Sequence, residues 1–370
     1  MAELYIGLMS GTSLDGVDGV LVDFGSQPMA VVAHAHRAFE PTLAHELLAL
    51  NAPGESELHR SGLAANALVR VYADVVEALL SSPGAARAKV RAIGAHGQTV
   101  RHRPREFDGI GYTIQLNNPA LLAELTGIDV IADLRSRDVA ASGQGAPLVP
   151  AFHRAVFGRA GETVAVLNIG GIANLTALRA DGSTIGCDCG PGNALMDHWC
   201  LRHTGQRYDA GGAWAASGQV LAALLAQMRS DPYFALHPPK STGRDLFNPA
   251  WLRDQLASCS SARPVDVQAT LTELTASACA ADVLAQAAGT RELLVCGGGA
   301  FNAHLMQRLA AQLPGIDVIP TDARGLPADQ VEACAFAWLA RAFMRREPAN
   351  LPSVTGATGL RVLGALYPAG

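Results

Sequence analysis

The chain has 370 residues, 49% hydrophobic and 16% charged, which is ample material for a core and excludes disordered and fibrous classes. That length lies above the size at which a single core keeps growing, so two lobes are predicted. A net charge of −5 gives no basic footprint for nucleic acid or anionic membranes, and no apolar run approaches the roughly 18 residues of a membrane span.

Read in chain order, the first lobe opens with three strands, 4–8, 17–24 and 29–37, the first two separated by the polar turn Ser10 to Gly16. Helical patterns follow at 43–50 and 58–80. Then come a strand at 90–95 ending in His96-Gly97-Gln98-Thr99, a strand at 112–116, a helix at 119–125 and a strand at 129–132. The polar stretch 133–150 reads as the boundary, dividing the chain into an N-terminal lobe 1–132 and a C-terminal lobe 133–370. The second lobe repeats the plan: strands at 163–168, 173–178 and 184–188, with Gly170-Gly171 between the first two. Helices at 194–203, 214–228 and 270–288, a buried strand at 293–296, a helix at 302–312, a strand at 317–319, a long helix at 327–344 and a closing strand at 360–363 complete it. Two β-first blocks argue for a duplicated α/β architecture.

Glycine is in excess at 38 residues, and without a collagen period it must serve turns and close approaches of backbone to ligands. Of 28 basic residues only Lys89 and Lys240 are lysines; neither lies in a glycine loop, which excludes a P-loop NTPase. The seven cysteines are scattered and give neither zinc spacing nor a disulfide framework. The start Met1-Ala2-Glu3-Leu4 carries no basic leader, and a cytoplasmic protein is expected.

Three glycine loops could carry chemistry. The turn Gly11-Thr12-Ser13-Leu14-Asp15-Gly16-Val17-Asp18 offers N–H groups and hydroxyls to an anion, and its carboxylates Asp15 and Asp18 could hold a hydrated cation. Alone it reads more readily as an ordinary polar hairpin. A second hairpin, Asn168 to Asn174 around Gly170 and Gly171, favours a grip on polyphosphate instead. Gly297-Gly298-Gly299, between a buried strand and Asn302, would let a flat ring lie on bare backbone or would simply be a packed strand-to-helix turn. It is not G-x-G-x-x-G, so the dinucleotide fingerprint fails. On local sequence Asp188, before Gly190-Pro191-Gly192, reads as a turn or helix cap.

Together these blocks are similar to the ASKHA superfamily of sugar kinases, Hsp70 and actin. More specifically, the segments 7–18, His96 to Thr99, Gly143 to Pro150, Asn168 to Thr176, Asp188 to Asn193, Gly297 to Asn302, Asp329 to Trp338 and Asn350 to Ala357 resemble the anhydro-N-acetylmuramic acid kinase family. The resemblance runs from about residue 5 to about residue 360. In one departure, Cys189 stands where the family usually has threonine.

The resemblance implies duplicated ribonuclease H-like (actin-like ATPase) lobes around a nucleotide and sugar cleft. It also implies conversion of 1,6-anhydro-N-acetylmuramic acid, ATP and water into N-acetylmuramic acid 6-phosphate and ADP, in cell-wall recycling. Asp188 would be the base for water. Gly11 to Asp18, Asn168, Gly170, Gly171, Gly297 to Gly299, Asn302 and Glu332 would hold ATP, with Mg²⁺ near Asp15 or Asp18 through water. Glu332 reads equally as an exposed helix acid. Ser10, His96, Gln98, Thr99, Arg135, Arg137, Gly190 and Asn193 would line the amino-sugar site, Arg137 favoured over Arg135 as the carboxylate fork. His96 reads at least as well as a structural histidine. A homodimer is implied, with no nucleic-acid or membrane partner. The alternatives are another hexose or N-acetylhexosamine kinase of the superfamily, and a nucleotide-gated binding module. The little chain beyond residue 360 argues against the appended domain that such a module needs.

Overall fold

In the computed structural model the described residues are 2–11, 13–85, 87–243, 246–259 and 261–370. The chain opens with β1 (Leu4–Met9), β2 (Gly16–Asp23) and β3 (Ala30–Ala38), then α1 (Pro41–Ala49) and α2 (Glu57–Leu80). Helix α2 buries Leu68, Val69, Tyr72, Val75, Val76 and Leu79, one face at helical spacing. After β4 (Val90–Ala95) comes β5 (Gln98–Pro104), which pairs with β6 (Gly111–Leu116) as a two-stranded ribbon. The sequence conceals β5: apart from its final proline, Val100 is its one apolar residue, so no alternation marks it. Asn118 caps α3 (Pro119–Thr126) by accepting the Leu121 N–H, and left-handed Gly127 ends it. β7 (Val130–Ala132) follows, and the expected polar boundary holds α4 (Ser136–Val139) and the start of α5 (Val149–Phe157).

The second block runs β8 (Val164–Ile169), β9 (Ile172–Leu178), β10 (Thr184–Pro191) and α6 (Asn193–Thr204). The helix expected over 214–228 is two, α7 (Ala213–Ala216) and α8 (Ala222–Arg229). They break at Gly218, where a Cβ would lie 2.3 Å from the Val265 carbonyl oxygen. Next come α9 (Pro249–Gln255), α10 (Pro264–Gln286), β11 (Glu292–Cys296), α11 (Ala303–Gln312) and β12 (Asp317–Pro320). The chain closes with α12 (Val331–Met344), α13 (Pro352–Thr355) and β13 (Ala365–Tyr367). The closing strand is therefore not at 360–363: pairing falls on Ala365–Tyr367, opposite Val130–Ala132 of β7. Among the described residues no helix is long and apolar enough to cross a membrane.

The two sheets share one plan. The first has the order β13-β7-β4-β1-β2-β3, with β1, β2 and β3 antiparallel and β1, β4 and β7 parallel. The second has the order β10-β9-β8-β11-β12, with β8, β9 and β10 antiparallel and β8, β11 and β12 parallel. Apart from the added edge strand β13, order and sense are identical. This is the ribonuclease H-like sheet twice over, and it establishes the duplication that the sequence pattern only suggests.

The division of the chain differs from the expected one. The compact units are residues 1–152 with 330–370, and residues 153–329. The C-terminal segment belongs to the first unit because β13 pairs with β7 and because α12 lies directly on β1 and β4. A Cβ on Gly7 would sit 1.9 Å from the Ala333 carbonyl oxygen, and one on Gly94 would sit 2.0 Å from that of Phe336. Each unit has its own core: Ile6, Leu68, Tyr72 and Ile93 are central to the first, and Leu167, Leu274, Val295 and Leu305 to the second.

This close approach makes an unequal pair of substitutions informative. Gly94→Ala is expected to lower the unfolding free energy by about 3 kcal/mol, since backbone must move to admit the methyl group. Gly62→Ala, inside α2 with nothing within 4 Å of the new Cβ, is expected to raise it by about 0.5–1 kcal/mol. Urea melts of the two variants measure both.

Candidate active site

In open α/β sheets ligands gather beyond the carboxyl ends of the parallel strands. In the first unit three segments leave that edge: Ser10 and Gly11 after β1, His96 and Gly97 after β4, and Asp133 to Arg135 after β7. They are tied together by buried side chains. The Tyr72 hydroxyl, fully buried on α2, lies 2.9 Å from Ser10 Oγ and accepts the Gly97 N–H at 3.0 Å, while Ser10 Oγ donates to the Gly97 carbonyl at 3.0 Å. His96 Nδ1 lies 3.1 Å from the Ser10 carbonyl oxygen, and its Nε2 accepts from Arg135 Nη2 at 2.9 Å. Since Arg135 can only donate, Nε2 is the unprotonated nitrogen and Nδ1–H donates to Ser10. Burial, helped by the Arg135 charge, pulls the His96 imidazole down to about 3, so the ring is neutral. Burial also lowers Arg135, to about 10, against the nearby Glu332 and Asp138 carboxylates.

Of the hairpin residues, Ser13 Oγ donates to Asp15 at 2.7 Å, and Leu14 takes a left-handed turn at φ 59°. Val17 is core, and a Cβ on Gly16 would meet the Arg37 carbonyl oxygen at 2.3 Å. Asp18 faces β3, where His36 Nδ1 lies 2.9 Å and His34 Nε2 3.5 Å from its carboxylate. Burial opposes its charge, but the two histidine hydrogen bonds prevail and hold the carboxyl below its ordinary value. Thr12 lies outside the described residues. Gln98 donates to the Gly11 carbonyl at 3.1 Å, and its buried Oε1 has no partner among the described residues. Thr99 Oγ1 accepts from Gln115 at 3.3 Å. Glu332, in the first turn of α12, is raised by burial, with Arg135 opposing and Asp18 adding to the shift. It therefore belongs electrostatically to the His96–Arg135 cluster. Arg137, by contrast, is exposed and lines an open cavity with Arg346 and Arg361. Of the two arginines, Arg135 is the one the fold brings to His96.

Sequence reasoning assigned Asp138 no role. It is fully buried and accepts from the Gly145 N–H at 2.8 Å, Asn350 Nδ2 at 2.8 Å and Thr355 Oγ1 at 2.9 Å. Gly143 packs so closely that a Cβ would lie 2.1 Å from the carboxylate. One carboxylate thus joins the segment 143–145 to the segment 350–355, and Arg135 donates to the Gly145 carbonyl at 2.9 Å.

In the second unit Gly170-Gly171 follows β8 and Gly297-Gly298-Gly299 follows β11, the positions that Ser10-Gly11 and His96-Gly97 hold in the first. The N-terminus of α6 folds back on the hairpin: Asn193 N–H donates to the Gly170 carbonyl at 2.8 Å and its side chain to that of Ile169 at 3.0 Å. Asn168 leaves a buried Oδ1 without a partner, and Gly297, at φ 77°, passes so near that a Cβ would be 2.4 Å from it. Asn302 caps α11 by accepting the Leu305 N–H at 3.0 Å. Strand β10 bulges between Asp188 and Gly190, at the expected catalytic position. Asp188 accepts the Thr242 N–H at 2.9 Å, its own N–H donates to the Lys240 carbonyl at 3.2 Å, and the Tyr233 hydroxyl donates to its carbonyl at 2.8 Å. Burial pushes its carboxyl up to about 6, with the Thr242 N–H and the Lys240 charge restraining the shift. Sequence reasoning missed Lys240, whose side chain is 2% exposed. The one available signal was a lysine beside serine, threonine and glycine in a chain almost without lysine.

Two ribonuclease H-like sheets, each with a glycine hairpin after its first strand, define the actin-like ATPase class, to which the ASKHA sugar kinases belong. The family model described as anhydro-N-acetylmuramic acid kinase matches residues 3–369. An anhydro-N-acetylmuramic acid kinase of Variovorax paradoxus is 65% identical over 99% of both chains, and one of Albidiferax ferrireducens is 60% identical over 100% of both. The activator of the 2-hydroxyisocaproyl-CoA dehydratase from Clostridium difficile, solved with bound ADPNP, is similar at a TM-score of 0.46 and 14% identity, over 91% of this chain and 93% of that one. The chain belongs to the anhydro-N-acetylmuramic acid kinase family and is a phosphotransferase.

Asp138→Asn places an NH₂ group where a carboxylate oxygen accepts hydrogen bonds. It is expected to cost about 1–3 kcal/mol in thermal or urea unfolding, and to loosen the segments 143–145 and 350–355 in amide hydrogen exchange.

Proposed function

We propose that the chain uses ATP to open the 1,6-anhydro ring of 1,6-anhydro-N-acetylmuramic acid while phosphorylating O6, giving N-acetylmuramic acid 6-phosphate and ADP. In this reading Asp188 takes a proton from water, whose oxygen bonds to C1. The C1–O6 bond breaks, O6 bonds to the γ-phosphorus, and the bond from that phosphorus to the bridging oxygen of ADP breaks. The observation that carries it is the Asp188 carboxyl, at the strand bulge, half-buried and raised to about 6. That value lies near working pH, where a base is both ionised and strong enough to accept a proton.

The hairpin N–H groups of Gly11 to Gly16, and of Gly170 and Gly171, are assigned to the phosphates, since the loops carry no lysine. Gln98, with its unpartnered Oε1, suits a sugar hydroxyl, and Arg135 with Glu332 brings charge to the same edge. Among the described residues no three His, Cys, Asp or Glu side chains form a metal cage. Asp15, exposed and bonded to Ser13, fits the shell of a hydrated Mg²⁺ better than Asp18, whose carboxylate is engaged by His36. Mg²⁺ would neutralise charge on the transferring phosphoryl group. A role in cell-wall recycling, a cytoplasmic setting and a homodimer belong to the same proposal and are supported by family membership.

Turnover in ¹⁸O-labelled water tests the reaction. Label is expected at C1 of the product, and its absence means that the sugar is phosphorylated without hydrolysis. Asp188→Asn is expected to lower kcat by at least about 10²–10⁴ with nucleotide affinity retained. In the wild-type enzyme kcat is expected to fall about tenfold per pH unit below pH 6, as Asp188 gains its proton.

A further inference from the structure

Lysine is rarely buried without reason, and this chain buries one of its two. Lys240 Nζ lies 2.9 Å from Asp282 on α10, with the two side chains 2% and 12% exposed, and 5.3 Å from the centroid of the Tyr233 ring. A buried ion pair seldom repays its desolvation against an apolar pair of the same volume, so stability alone is a weak explanation. The ammonium group lies buried between a carboxylate and an aromatic ring. What it does reach is β10. That strand is the edge of its sheet, and residues 240–242 run beside it at one point only: the Asp188 N–H donates to the Lys240 carbonyl, and the Thr242 N–H donates to Asp188 Oδ2.

We propose that Lys240 is a positioning residue for Asp188: the Lys240–Asp282 pair anchors the segment whose Lys240 carbonyl and Thr242 N–H hold Asp188 and aim its carboxylate. The inference rests on the reading of Asp188 as the base for water. The groups facing Asp188 show why a cation is needed. Cys187 and Cys189 flank it on β10 and the Tyr233 hydroxyl comes from the turn Pro232–Ala235, while burial is what raises its carboxyl; Cys279 and Asp282, on α10, act on Cys189. None of these supplies positive charge. Arg229, at the end of α8, stacks on Phe234 and feels Asp282, so among the described residues Lys240 is the cation that acts on Asp188. Thr242 Oγ1 is buried without a partner among the described residues, in the same segment whose N–H meets the carboxylate.

The sign of the effect is fixed. Lys240 lowers the Asp188 carboxyl, so removing it moves the acid limb of kcat to higher pH. The double variant Lys240→Met/Asp282→Asn removes the pair without stranding a buried charge. Its limb is expected about one pH unit above that of wild type, so that its loss of kcat is about fivefold larger at pH 6 than at pH 8. Lys240→Arg, which keeps the charge, is expected to retain the wild-type limb. Should the double variant not fold, Lys240→Gln, which can still hydrogen-bond Asp282, is read in the same way. A folded variant with its limb unmoved overturns the inference. Asp188→Asn separates the two ideas: if that variant turns over, the base assignment itself has failed, whatever the limb does.

Discussion

Helix α12 touches β1 and β4 backbone to backbone, and the first unit depends on that contact. Side chains at residues 7 and 94 would collide with carbonyl groups of the helix, so glycine at both is a condition of assembly. The helix lies across the parallel pair whose ends carry Ser10-Gly11 and His96-Gly97. Its first turn brings Glu332 to the charges of Arg135 and Asp18. A packing constraint within three residues of the strand ends thus helps determine which groups meet at the edge.

At those edges the protein sets charge behind glycine. The first unit uses Arg135 on a neutral His96, with buried Asp138 holding the adjoining loop. The second uses Lys240 and Asp282 behind Asp188. In both, the glycine-backed amides are left toward the edge while the ionised groups work from underneath. A loop lysine would have offered phosphate a mobile point charge. In the proposed reaction the loop N–H groups would serve instead, and fixed dipoles need no reorganisation as charge develops.

Most of this fold was legible in the sequence because β1, β4, β8 and β11 are apolar runs followed within two residues by glycine, and because β2 alternates. β5 was not, since its side chains are polar and its pairing is local to a ribbon. The helix break at Gly218 was hidden because its cause, the Val265 carbonyl, lies almost fifty residues away. The loops of the site were found by glycine and by family pattern. The side chains behind them were harder to sort. Ser10, His96, Asn193 and Asn302 look in sequence like ligand contacts, yet spend hydrogen bonds on Tyr72, Arg135, Ile169 and Leu305. Asp138 and Lys240 lack any periodic or motif signal, because a buried charge is justified only by partners distant in the chain.

The interrupted path of the first unit also bears on synthesis. Its opening residues, through 152, emerge from the ribosome without α12 or β13, so β1, β4 and β7 must wait for their covering helix and edge strand. Residues 153–329 are continuous and contain every strand of their sheet, so the later-made unit is the earlier one that can close. The usual order, N-terminal part first, is inverted. During that interval the apolar faces of β1 and β4 are the surfaces most in need of a chaperone.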